Sequence, residues 1–169
     1  METLQTILNR RSIRKYTSQK ISEEKIDAIL KAATYAPSAM NYQPWHFIVI
    51  DERKDIDQIN KINPHAEMMM QAQLAIIICG DSKLEMNIDY LVQGCSAATQ
   101  NALLAIHDAG LGGVWVSVYP NKDIIEGIKR YYGIPENIIP ISAIAIGYPD
   151  EVKEKEDRFN KEKIHKNRW

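Results

Sequence analysis

Three short stretches of this 169-residue chain carry side chains whose types and spacing could do chemistry. The first is RRSIR at residues 10–14, whose guanidinium groups are planar, permanently charged donor forks that match a phosphate. If Arg10 and Arg14 lie four apart on one helical turn, both can reach the same dianion. A solvated basic helix end is the alternative interpretation. Near the C-terminus, Lys166 and Arg168 could form a second clamp of the same kind.

The second stretch, APSAMNYQPW at residues 36–45, is a loop rich in side-chain amides. Two prolines stiffen it, and Ser38, Asn41 and Gln43 present both hydrogen-bond donors and acceptors. A planar heterocycle with alternating carbonyl and ring N–H groups needs such partners in fixed positions. An ordinary turn is the alternative interpretation, since the same residue types are common in turns.

The third stretch, GLGGVWVSV at residues 110–118, lacks the G-x-G-x-x-G pattern of dinucleotide-binding loops. Its glycines follow a helix instead of opening one, so we predict a helix-to-strand connection that allows close backbone approach. Alternation along the strand would place Trp115 and Ser117 on one face. A turn followed by one core tryptophan is the alternative interpretation.

Several familiar sites are absent from the sequence. It has no G-x-S-x-G, phosphate-binding P-loop, H-E-x-x-H or EF-hand pattern. The four histidines are scattered without the spacing of metal ligands, so no metal site is expected. Cys79 and Cys95 lie in apolar periodic segments, and we predict that both are buried free thiols.

Hydrophobic periodicity predicts the elements that must position these residues. Helices are expected at residues 2–9, from a Ser22 cap to Pro37, at 53–62, from Ile88 to a Gly110 cap, and at 122–132. Strands are expected at residues 46–51, 74–80, 114–118 and 141–147. This pattern predicts one α+β domain over residues 1–169, with helices around a small mixed or antiparallel sheet of four or five strands.

Two segments carry further expectations. The helix that begins at Ile88 is small or apolar nearly all round, which predicts cover on more than one side, from the domain core or from a partner subunit. Trp169 ends the chain, and because a terminal tryptophan is costly to expose, we predict that the tail is docked.

Composition excludes several classes of protein. The chain is 45% hydrophobic and 25% charged, as in globular proteins, and its formal net charge of −1 argues against nucleic-acid binding. No apolar run approaches the ~18–20 residues that span a bilayer, and the N-terminus is unlike a secretory signal. We therefore expect a cytoplasmic protein with no nucleic-acid or membrane partner.

In this order and spacing, the three stretches resemble the nitroreductase family of flavoproteins. The likeness also includes IPISAIAIGYP at residues 139–149 and the closing IHKNRW, and it spans nearly the whole chain. The chain is similar to the short members, which lack the longer insertions. The larger members often carry a lysine near the flavin ring in the segment matching residues 65–70, and this chain has none there.

The resemblance implies an obligate homodimer with the long central helix at its interface and two FMN sites shared between the subunits. By the family pattern, the FMN phosphate and ribityl chain would be held by Arg10, Ser12 and Arg14. Arg168 would close over the phosphate, and Arg11 would contact the flavin edge. The residues reaching the isoalloxazine from the other subunit would be Pro37, Ser38, Ala39 and Asn41. The ring would be lined, with a backbone N–H near N5, by Trp115, Ser117 and Val118.

The implied activity passes electrons from NADH or NADPH through FMN, in a ping-pong cycle, to a nitroaromatic, quinone or similar conjugated acceptor. The cofactor would carry the chemistry, so no catalytic acid/base pair is expected. Two alternatives remain: a non-catalytic flavin-binding or storage protein, and a specialised family branch with a different substrate. A helical interaction domain without cofactor would rest only on the long helix.

Overall fold

The computed structural model describes residues 2–169 and contains the expected elements. Met1, where the expected domain begins, lies outside the described residues. The helices are α1 (Thr3–Asn9), α2 (Glu23–Thr34), α3 (Arg53–Ile62), α4 (Ile88–Asp108) and α5 (Lys122–Tyr132). The strands are β1 (Trp45–Ile50), β2 (Leu74–Asp81), β3 (Gly112–Ser117) and β4 (Ile138–Gly147). Short 3-10 turns lie at Ala39–Asn41, Glu67–Met70 and Lys161–Lys163. The predicted α+β class is confirmed.

The four strands form one sheet in the order β1-β2-β4-β3, and every pair is antiparallel. Of the expected alternatives, the described residues form a sheet of four strands and not five, and the sheet is antiparallel and not mixed. The N-terminal segment adds two isolated bridges, a parallel one between Ser12 and Gly113 and an antiparallel one between Tyr16 and Pro149.

The sheet lies between two layers of helices, and the alternation of β2 shows why. On one face, Ala75, Ile77 and Cys79 belong to the core that includes residues of α3 and α5. On the other face, Leu74, Ile76 and Ile78 pack in the core that includes α2 and α4. A strand covered on both faces is apolar throughout, as this one is.

Helix α4 is the central helix, and it contacts α2, all four strands of the sheet and α1. Gly110, with φ 75°, ends it: the Gly110 N–H donates to the His107 carbonyl and the Leu111 N–H to the Ile106 carbonyl, as predicted for a glycine cap. In α2 the prediction of a capping hydroxyl was wrong. Ser22 precedes the helix, but its side chain makes no cap hydrogen bond. Within residues 2–169, no helix combines the length and the apolar character needed to cross a membrane.

The tail after β4 is polar and does not pack on the core of its own chain. Trp169 is 101% exposed, and its ring stacks only on His165, with ring centres 4.2 Å apart. The prediction of a docked tail is therefore wrong within this chain. The physical reason is that residues 150–163 carry no apolar periodicity that would return the chain end to the core.

Candidate functional site

The arginine-rich stretch is extended and not helical. Helix α1 ends at Asn9, and Arg10 has φ −58° and ψ 127°, so Arg10 and Arg14 do not share a helical turn. Beyond the helix, Ile13 donates its N–H to the Gly113 carbonyl at 3.2 Å, at the outer edge of β3. In this segment Ile13 is buried, whereas the next residue, Arg14, is exposed.

Glycines allow this segment to lie directly against the sheet. A Cβ added at Gly112 would lie 2.7 Å from Ile13 Cβ, and one added at Gly147 would lie 2.7 Å from Tyr16 Cβ. Both distances are shorter than a normal contact, so neither position has room for a side chain. The predicted role of the glycine stretch, close backbone approach, is confirmed.

Tyr16 anchors the far end of the same segment. Its hydroxyl donates to the Ile13 carbonyl at 2.5 Å, and burial raises the pKa of this hydroxyl. The Thr17 N–H donates to the Tyr148 carbonyl at 2.9 Å, just after β4. Residues 10–16 are therefore held at both ends, which fixes the position of Arg14.

Arg14 lies in a cavity of about 450 Å³ at the outer edge of β3, which we call the β3-edge cavity. The cavity brings together four residues of the predicted set: Arg14, Trp115, Ser117 and Val118. Residues outside the three motifs also line it, among them Asn63, His65 and Met68. Arg14 itself is exposed, and its backbone N–H donates to Glu151 Oε1 at 2.7 Å.

The backbone of β3 offers hydrogen-bonding groups to this cavity. In an antiparallel ladder, the N–H and C=O of one residue point to the same edge, and alternate residues point to opposite edges. The Gly113 carbonyl accepts from Ile13 N–H and the Ser117 carbonyl from Asn63 Nδ2, both outside the sheet. The residue midway between them is Trp115, so its N–H and C=O also face the open edge, where it lines the cavity.

Asn63 is the residue that connects β3 to the segment after α3. It is 2% exposed; its Nδ2 donates to the Ser117 carbonyl at 3.0 Å, and its Oδ1 accepts from His65 N–H at 3.1 Å. The Ala66 N–H donates to the Asn63 carbonyl at 2.9 Å and closes a turn. The signal in the sequence was the Asn-Pro pair directly after a helix, which marks a turn but does not reveal the contact with β3.

Arg10 and Arg11 lie in a neighbouring cleft of about 560 Å³, together with residues 155–159 of the tail. Glu156 Oε2 is 3.4 Å from Arg11 Nη2 and 3.0 Å from Arg158 Nη2. Burial, and then the nearby Arg158 charge, lower the pKa of Arg10. Arg168 is exposed and lines neither this tail cleft nor the β3-edge cavity.

The amide-rich loop has an unusual backbone. Met40, Asn41 and Gln43 have φ values of 48°, 57° and 50°, a region that non-glycine residues rarely adopt. The Ser38 hydroxyl oxygen accepts from the Gln43 N–H at 2.9 Å, and Asn41 Oδ1 accepts from Gln43 Nε2 at 3.1 Å. These bonds do not use the Ser38 hydroxyl hydrogen or the N–H groups of the Asn41 side-chain amide. These groups can therefore donate to another partner.

This loop lies on α4 and away from the β3-edge cavity. Its residues Pro37, Ser38 and Ala39 line a third cavity, of about 380 Å³, with the small residues Gly94 and Ala97 of α4. A Cβ added at Gly94 would lie 3.4 Å from Ser38 Cβ, so the loop packs closely on the helix. A single chain thus divides the predicted site residues into separate groups.

Known proteins match this chain over most of its length. The model of the nitroreductase family matches residues 7–76 and 63–148. A Methanothermobacter thermautotrophicus protein with the provisional name NADH dehydrogenase/NAD(P)H nitroreductase is 47% identical over 100% of this chain and 88% of its own length. A Parabacteroides distasonis protein of the same provisional name has a crystal structure with a TM-score of 0.95, 40% identity and coverage of 100% of this chain and 99% of its own. A provisionally named nitroreductase from Desulfovibrio desulfuricans, solved in complex with FMN, has a TM-score of 0.87, 30% identity and coverage of 100% and 98%.

Proposed function

The chain belongs to the nitroreductase family, and from this membership we propose that it is an FMN-dependent oxidoreductase formed by a single domain. In our proposal it passes electrons from NADH or NADPH through bound FMN, in a ping-pong cycle, to a nitroaromatic, quinone or similar conjugated acceptor. The observation that carries the proposal is the β3-edge cavity, where Arg14 lies beside the open strand edge at Trp115.

The donor set of this cavity suits an isoalloxazine ring. The ring has acceptor atoms at N1, O2, O4 and N5 and a donor at N3–H, so it needs several donors and an acceptor in fixed positions. The guanidinium of Arg14 and the backbone N–H and C=O of Trp115 are such groups, and Val118 adds an apolar wall. We propose that Trp115, Ser117 and Val118 line the ring, with a β3 backbone N–H near N5.

The arrangement of the arginine-rich segment supports a site for the rest of FMN. Arg10 lines the tail cleft and Arg14 lines the β3-edge cavity, so the segment between them runs from one to the other. We propose that Arg10, Ser12 and Arg14 hold the phosphate and ribityl chain. Arg11 would contact the flavin edge, and Arg168 would close over the phosphate. Two guanidinium groups near a dianion stabilise it strongly, because charge-assisted hydrogen bonds are about twice as strong as neutral ones.

A second copy of the chain would complete the site. The amide-rich loop and the β3-edge cavity are separate within one chain, and the loop packs on a stretch of α4 with small residues. We propose a homodimer with α4 at its interface, in which each loop faces the β3-edge cavity of the other subunit. The loop residues that would reach the ring are Pro37, Ser38, Ala39 and Asn41.

Bound FMN supplies hydride acceptance and donation, which no side chain can perform alone. The protein's part is to hold the ring and set its electrostatics. Arg14 places a permanent positive charge in the cavity. The acceptor would enter the same space that the nicotinamide leaves.

The test is an anaerobic titration of purified protein with FMN, followed by NADH and then NADPH. We expect a bound-flavin absorption band that one or both nucleotides bleach and that an added quinone restores. Arg14→Ala should weaken FMN binding about tenfold or more, because a hydrogen bond to a charged group contributes roughly 1.5–3 kcal/mol. Arg130→Ala, an exposed arginine on α5, is the matched control and should bind FMN normally.

The other outcomes are equally informative. Bound flavin that neither nucleotide reduces would favour a storage role over an oxidoreductase. Absence of flavin binding by the wild-type protein would contradict the proposal.

A further inference from the structure

His65 lies at the β3-edge cavity on a turn that the fold holds in place. The turn comprises residues 63–66, with Pro64 at its second position, where the fixed φ of proline is favourable. His65 donates its N–H to Asn63 Oδ1 at 3.1 Å, and Asn63 in turn donates to the Ser117 carbonyl at 3.0 Å. The backbone of His65 is therefore tied to the end of β3, while its side chain remains exposed at the cavity.

The cavity contains few groups that can carry charge. Among the described residues that line it, those with ionisable side chains are Arg14, His65 and Tyr119. Nearby charged residues outside the lining include Glu67 on the following 3-10 turn, Lys122 and Asp123 at the start of α5, and Glu151, which accepts from the Arg14 N–H. Arginine is charged at every relevant pH and tyrosine is ordinarily neutral, whereas histidine is the residue type whose charge ordinarily changes between pH 5 and 8.

We propose that His65 contacts the pyrimidine edge of bound FMN and that its positive charge favours the reduced flavin. This inference rests on the proposed function, because it requires FMN in the β3-edge cavity. Hydride transfer from NAD(P)H oxidises the nicotinamide and gives the flavin two electrons, one proton and one additional negative charge. No bond to His65 forms or breaks; the imidazolium acts through its charge and an N–H donated to the ring.

The test compares midpoint potentials of FMN-loaded wild type and His65→Gln from pH 5.5 to pH 9 by spectroelectrochemistry. Glutamine keeps a side-chain N–H donor and removes the charge. At pH 5.5 we expect a tenfold loss in the preference for reduced over oxidised FMN. For a two-electron couple this corresponds to a potential about 30 mV more negative. The difference should shrink by pH 9, because histidine as a residue type ordinarily loses its charge between pH 5 and 8.

Two further variants separate charge from structure. His65→Lys keeps a positive charge to pH 9, so its potential should remain above that of His65→Gln across the whole range. His46→Gln is the matched control, because His46 is half-exposed on β1 and lines a different cavity. Its FMN potential should equal that of the wild type.

The outcomes distinguish this inference from the proposed function. If His65→Gln binds FMN with the wild-type potential at every pH, the inference is wrong and the FMN site stands. Equal loss of FMN binding in the Gln and Lys variants would assign His65 a structural role and would also overturn it. If the wild type binds no FMN, the proposed function fails first.

Discussion

Cys79 and Cys95 show how burial decides the chemistry of a residue. Each side chain is fully buried, and Cys95 Sγ lies 3.5 Å from the Cys79 carbonyl oxygen. Burial raises the pKa of each thiol from 9.0 to about 12, and Cys95 adds to the effect at Cys79. Because the thiolate is the reactive form, neither cysteine can serve as a nucleophile at neutral pH. The prediction of two buried free thiols is confirmed.

These thiols predict a loss of stability at high pH. The folded state retains their protons to a pKa of about 12, whereas the unfolded chain releases them near 9.0. Stability should therefore be complete below pH 9 and fall as pH rises above it, by about 1.4 kcal/mol per pH unit for each thiol. Burial raises the pKa of Tyr16 and Tyr132 as well, which acts in the same direction.

Urea unfolding at pH 8, 9 and 10 would measure the free energy of unfolding at each pH. In Cys95→Ala, this free energy should fall less steeply as the pH rises. A thiol reagent should label the native protein only slowly and the unfolded protein at once. Rapid labelling at pH 8 would show that the thiols are not protected.

At the scale of elements, the N-terminal segment depends on glycines that are remote in sequence. Gly112 and Gly147 have no room for a Cβ because Ile13 and Tyr16 lie against them. The segment that carries Arg10, Ser12 and Arg14 is therefore positioned by the ends of β3 and β4. Its sequence supplies the chemistry, and the neighbouring strands supply the place.

Gly112→Ala should consequently affect both stability and FMN binding. The new Cβ would displace Ile13, at a cost of roughly 1–3 kcal/mol for overpacking, and Arg14 would move with it. Gly133→Ala is the control: Gly133 has φ 65° and no atom within 4 Å of an added Cβ. It should cost only the backbone strain, roughly 1 kcal/mol, and leave FMN affinity unchanged. Urea unfolding and FMN titration measure the two effects, and a normal FMN affinity in Gly112→Ala would contradict this account.

At the scale of the whole molecule, the predicted site residues lie on separate surfaces of one chain. Arg14 lies in the β3-edge cavity, and the amide-rich loop with Asn41 lies on α4. Under the proposed function, a complete FMN site needs Arg14 from one subunit and Asn41 from the other. A mixed dimer of two defective variants tests this directly.

Arg14→Ala and Asn41→Ala homodimers should each bind FMN weakly while remaining dimers. In a dimer containing one subunit of each variant, one site combines two intact residues and the other combines both defects. We therefore expect one FMN bound with wild-type affinity per mixed dimer, measured by titration of a heterodimer purified with two different tags. If both residues served a site within one subunit, mixing would restore nothing.

Much of the fold could be predicted from local sequence patterns. The bounds of α3 and α5 agree with the predicted residues 53–62 and 122–132, and the cap of α4 at Gly110 was predicted as well. Such features depend on a few neighbouring residues: an apolar repeat at three and four, or a glycine that adopts positive φ. The order of the three motifs also indicated the nitroreductase family, which the comparisons confirm.

The tertiary structure decided which residues meet. The sequence suggested a helical turn for Arg10 and Arg14, but pairing of Ile13 with Gly113 extends that segment. It gave no sign that Asn63 bonds to Ser117, which is 54 positions away. Hydrophobic periodicity indicates which residues are buried, because burial repeats with the local geometry of the helix or strand. It does not record the partner, because contacts between distant residues depend on strand order and on the close approaches that particular glycines permit.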